Sequence, residues 1–95
     1  MKGVITMKAV ITVVGKDKTG IIARVSNVLY ENNINILDIS QTIEQGYFNM
    51  MMIVDANGAD KQFGQLADEM AELGDKIGVQ IKMQSEDIFN IMHRI

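Results

Sequence analysis

Ninety-five residues make one small domain and leave no room for a second. With 47% apolar and 22% charged residues and a net charge of −3, the composition is that of an ordinary globular chain, and it lacks the basic stripe that a general nucleic-acid binder needs to displace phosphate counterions. The absence of cysteine excludes disulfide staples, thiolate metal sites and cysteine nucleophiles together. No apolar run approaches the roughly 18 residues of a membrane span. The opening MKGVITM has neither a long apolar stretch nor a small-residue cleavage site, so a cytoplasmic location is expected.

Residues 1–6 (MKGVIT) are nearly repeated by residues 7–12 (MKAVIT), which suggests an N-terminal arm or an alternative start ahead of one domain over 7–95. Lys8 to Val14 is rich in β-branched residues and reads as a strand, with Ala9, Ile11 and Val13 on one face. A polar loop, Gly15 to Gly20, leads into a helix whose apolar positions are Ile21, Val25, Val28 and Leu29. Thr19 is its expected N-cap and Asn32-Asn33 its end.

Asn35 to Glu44 alternates as a strand, with Leu37, Ile39, Gln41 and Ile43 on one face. Gln45-Gly46 marks a hairpin turn, and Tyr47 to Asp55 returns with Phe48, Met50, Met52 and Val54 inward. A second helix is expected from about Asp60, carrying Phe63, Leu66, Ala67, Met70 and Leu73 on one stripe and ending at Gly74 and Gly78. Val79, Ile81 and Met83 form a half-buried strand. Ser85 then caps a short helix whose apolar side is Ile88, Phe89, Ile91 and Met92.

The order is α+β, βαββαβ with a short C-terminal helix. It predicts a ferredoxin-like sandwich, in which a four-stranded antiparallel sheet carries two helices on one face. The other sheet face is expected to hold Val10, Val14, Ile36, Met51 and Ile53. That face, or an edge strand, is expected to meet a second subunit.

No catalytic set can be assembled, so the chain is read as a non-enzyme with no catalytic residues. His93 reads as a solvated histidine, and Glu72 with Lys76 as a helix-surface pair. Met50, Met51 and Met52 cannot converge on a metal, because successive strand side chains point to opposite faces; soft core filling is the better reading. No metal and no cofactor is expected.

The loop into the first helix remains. Glycines let its backbone approach a ligand, and helix N-terminal N–H groups favour a carboxylate or phosphate, although such turns are common. Gly15-Lys16-Asp17-Lys18-Thr19-Gly20-Ile21-Ile22, followed by Asn33-Ile34-Asn35-Ile36, resembles the ACT domain, a small ligand-sensing module usually attached to enzymes and regulators of amino-acid metabolism. The resemblance runs from residue 7 to about 84. The run Asp38-Ile39-Ser40-Gln41-Thr42 is most similar to stand-alone bacterial and archaeal ACT proteins and to the ACT repeats of glycine-cleavage regulators.

The resemblance implies a small amino acid or related metabolite bound at a homo-oligomer interface. The ligand-binding residues it implies are Asp17, Lys18, Thr19, Gly20 and Ile21 of one subunit, with Asn35 and Ile36 facing them from another. Thr19 stands where the family usually has proline. As plain loop chemistry, Asp17 can instead bond its own backbone, and Asn35 can serve as a helix-to-strand turn residue. An alternative is a ligand-free module that docks on a metabolic enzyme or regulator.

Overall fold

The computed structural model describes residues 7–92, so the arm at residues 1–6 and His93 lie outside the described part. The elements are β1 (Lys8–Lys16), α1 (Ile21–Glu31), β2 (Asn35–Glu44), β3 (Tyr47–Asp55), α2 (Phe63–Ile77), β4 (Gln80–Ser85) and α3 (Glu86–Met92). The four strands form one antiparallel sheet in the order β2-β3-β1-β4, the expected ferredoxin-like arrangement.

Alternation decides which face of the central strands is buried. Ala9, Ile11 and Val13 of β1 and Phe48, Met50, Met52 and Val54 of β3 all turn toward the helices. They meet Ile21, Val25 and Leu29 from α1 and Leu66, Met70 and Leu73 from α2 in one core. Unbranched methionines fill the middle of that core, while Met51 points the other way and stays 40% exposed. The β2–β3 hairpin closes through Gln45 (φ 52°) and Gly46 (φ 81°), both in the left-handed region that a tight hairpin requires.

Helix α1 ends as its two asparagines predict. Asn33 takes φ 59°, and the Asn33 and Ile34 N–H groups donate back to Tyr30 and Leu29 carbonyls. Helix α2 starts at Phe63, three residues later than expected, because Gln62 and Gln65 form the first turn: the Gln62 N–H donates to Gln65 Oε1 at 3.0 Å. Gly74 lies inside α2 rather than at its end, and Gly78 (φ 79°) makes the turn into β4. Ser85 caps α3, its Oγ accepting from the Ile88 N–H at 3.2 Å.

Two readings of the outer surface change. Val10, expected on the open sheet face, is only 4% exposed yet stands outside the main core. Helix α3 packs on β1 and β4 and closes that part of the face. The second change is on β2, where the register with β3 slips between Ile36 and Asp38. Leu37 is the extra residue of this bulge, so Ile36 pairs with Val54 and joins the helix side of the sheet instead of the open side.

The expected Glu72–Lys76 pair does not form. Glu69 instead joins α2 to its surroundings, accepting from Lys61 Nζ at 2.6 Å and from the Asn32 amide. The Lys61 hydrogen bond holds the Glu69 carboxyl below its ordinary range, partly opposed by desolvation and assisted by Asn32. A carboxyl made more acidic by folding contributes stability above its unfolded range, and that contribution is lost as pH falls through the lowered value. The pair is partly solvated, so Glu69→Gln is expected to cost less than ~1 kcal/mol in urea unfolding at neutral pH. The difference from wild type should close in acid.

Candidate functional site

The loop between β1 and α1 is shorter than its sequence suggests, because β1 continues to Lys16 and leaves only Asp17 to Gly20. Three anchors hold it. A Cβ at Gly15 would sit 2.8 Å from Val79 Cγ1, so glycine lets the end of β1 lie tight against the chain entering β4. The Asp17 N–H donates to the Gly46 carbonyl at 2.8 Å, tying the loop to the β2–β3 hairpin. Lys18 reaches the other way, its Nζ donating to the Ile77 carbonyl at 3.1 Å at the end of α2.

Gly20, not Thr19, is the N-cap of α1. Its φ of 87° and ψ of 6° are left-handed, and no side chain caps the helix. Thr19 is exposed. The first helical bond runs from the Arg24 N–H to the Gly20 carbonyl, so the N–H groups of Ile21, Ile22 and Ala23 precede the ladder. A Cβ on Gly20 would meet nothing within 4 Å, so the space beside Gly20 at the helix start is open. The Ile21 side chain is 3% exposed in the core, so Ile21 can offer a ligand only its backbone.

Asn35 and Ile36 are not beside this loop. Asn35 pairs with Asp55, which pairs with Lys8 at the start of β1, whereas the loop follows Lys16 at the other end. The nine residues of β1 separate them by about 27 Å at strand rise. Ile36 is half-buried against the core and Asn35 is exposed. One chain therefore brings Asp17, Lys18, Thr19, Gly20 and Ile21 together and leaves Asn35 and Ile36 at the far end of the sheet.

Among the described residues, strand β2 is a long edge with no strand on its outer side. It has ten residues and no proline, and its only charges are Asp38 and Glu44, whereas the opposite edge, β4, has six residues and includes Lys82. Ile39 and Ile43 lie on the helix side of β2 but remain 43% and 52% exposed. Helix α1 extends this apolar strip. Arg24 lies with Lys76 and Ile77 of α2, so Ile22, about 200° around the helix axis, faces away from α2, toward the β2 side.

Family comparison agrees with the fold. The ACT domain profile matches residues 8–84. This chain belongs to the ACT domain family. A UPF0237 protein of Bifidobacterium longum is 61% identical over 88 residues, covering 93% of this chain and 98% of its own. The solved ACT domain protein from Streptococcus pneumoniae superposes with a TM-score of 0.78 at 47% identity, over 87% of this chain and 93% of that one. A protein described as a putative glycine cleavage system transcriptional repressor shares the fold, with a TM-score of 0.75 at 23% identity over 86% of this ACT chain and 47% of that chain. No helix among the described residues is long and apolar enough to cross a membrane.

Proposed function

We propose that this ACT chain is a non-enzymatic sensor of a small amino acid or related metabolite, with each site shared between two copies. What supports this reading is that the β1–α1 loop and Asn35 lie at opposite ends of the sheet, with a β2 edge between them that no other described strand pairs. Two β2 strands paired antiparallel about a two-fold axis put Asn35 of one chain opposite the Glu44 end of the other. That end is tied to the loop through Gly46 and Asp17. Parallel pairing would leave the half-sites apart.

In the paired arrangement the N–H groups above Gly20 suit a carboxylate, and Asn35 can donate to it or accept from an ammonium. Ile22, Ile39 and Ile43 supply apolar contact across the joint. Ligand bound across the two chains favours the paired state by mass action, and that shift is the signal a partner protein would read.

A thermal-shift scan against the twenty amino acids at millimolar concentration tests the reading. An amino acid at 100 times its dissociation constant adds about 2.7 kcal/mol, on the order of 10 °C for a domain this small. One or two selective hits are expected, and uniform silence contradicts the sensor. Gly20→Val is expected to remove the response at a cost in fold stability of about 1–3 kcal/mol, because its new side chain meets open space but a left-handed φ. A Gly20→Val protein that answers like wild type would move the site elsewhere.

One observation favours a second reading, docking on a metabolic enzyme or regulator without a small ligand. Ile88 and Ile91 of α3 are 51% and 67% exposed. Silence in the amino-acid scan together with loss of partner capture in an Ile88→Ser, Ile91→Ser variant would support it.

A further inference from the structure

We propose that a second small-molecule site lies on the α2 side of the same loop and takes an oxyanion, with a phosphate monoester as the chemical class that fits. A depression of about 250 Å³ is lined by Lys18, Thr19, Ile21, Arg24, Lys76 and Ile77. Three of these six carry positive charge and one carries a hydroxyl, and among the described residues no carboxylate lines the depression, in a chain whose net charge is −3.

The cations come from three separate elements: Lys18 from the loop, Arg24 from α1 and Lys76 from α2. No local sequence rule groups them, so the fold itself brings like charges together, an arrangement that is unfavourable until an anion joins it. Lys76 has Glu72 four residues before it and yet makes no ion pair with it. Among the described residues no carboxylate pairs with Arg24 either.

Lys18 is already held in place by the Ile77 carbonyl and keeps further N–H donors for a ligand. The Arg24 guanidinium supplies a planar fork suited to two oxygens of one group. A phosphate monoester carries about −1.5 to −2 charge near neutral pH, which matches three cations better than a single carboxylate does. This site faces α2 and adds Arg24 and Lys76 to the loop, whereas the shared amino-acid site faces the β2 edge.

The test is a titration of the ¹⁵N-labelled protein with inorganic phosphate, against sodium chloride at matched ionic strength. Saturable amide shifts confined to residues 18–24 and 76–78 are expected, and the exposed double substitution Arg24→Gln, Lys76→Gln should weaken binding at least tenfold. That double variant should keep the wild-type response to amino acids, so failure of this site and failure of the shared site read differently. Shifts that do not saturate, that sodium chloride reproduces, or that persist unchanged in the double variant would overturn the proposal.

Discussion

Glutamate at both Ile39 and Ile43 is expected to yield a folded chain that sediments as a monomer and answers no amino acid. Both side chains are about half exposed on the single chain, so their exchange should cost the fold no more than about 1 kcal/mol. Across a β2–β2 joint the same exchange puts two carboxylates from each subunit into an apolar contact without partners. Burying such charges costs several kcal/mol, on the order of a thousandfold or more in association. Sedimentation equilibrium of wild type and variant checks the first half of the prediction, and the amino-acid scan checks the second. A variant that remains dimeric would place the joint on another surface.

Gly74→Ala is expected to destabilise the protein, the reverse of what helix propensity alone gives. In an exposed helix interior alanine gains about 1 kcal/mol over glycine. Here a Cβ would lie 2.6 Å from the Val79 carbonyl oxygen and 3.1 Å from the Ile81 backbone nitrogen, and neither is the far end of a flexible side chain. The Gly78 and Val79 N–H groups both donate to the Gly74 carbonyl, at 2.8 and 2.9 Å, so the start of β4 is fastened against that turn of α2. Overpacking of this kind costs about 1–3 kcal/mol, which for a domain this small lowers the melting temperature by roughly 5–20 °C. Gly74→Val should cost more than Gly74→Ala. Urea unfolding of both variants checks the order, and a Gly74→Ala protein as stable as wild type would contradict the packing described.

The contrast at Gly74 shows where the sequence is legible and where it is not. Strand faces in β1 and β3 follow from alternation, and the Gln45-Gly46 turn and the Asn33 helix end follow from residues suited to left-handed backbone. These are local properties of a few neighbouring residues. Gly74 looks like a helix terminator until β4 is seen to fold back over it. The bulge at Leu37 has no local marker in an apolar, alternating strand, and that single extra residue moved Ile36 from the open face to the helix side.

The candidate site divides in the same way. Gly20 and the loop are recognisable from glycine spacing and from the family resemblance. Thr19 is a sound capping residue by composition, but the left-handed Gly20 takes the N-cap position itself. The separation of Asn35 from the loop is a property of strand pairing, and so is the meeting of Lys18, Arg24 and Lys76. None of these can be read from neighbours in sequence.

A subunit-mixing experiment tests the shared site most directly. Gly20→Val damages the loop and Asn35→Ala the facing strand, so neither variant alone should bind the amino acid that stabilises wild type most. When the two are mixed and allowed to exchange, about half the dimers are mixed pairs, each with one site free of both substitutions, so about a quarter of the wild-type binding capacity should return. Binding restored to that level is the predicted result. A mixture that exchanges subunits and stays silent would contradict the account, and so would an Asn35→Ala protein that binds as well as wild type.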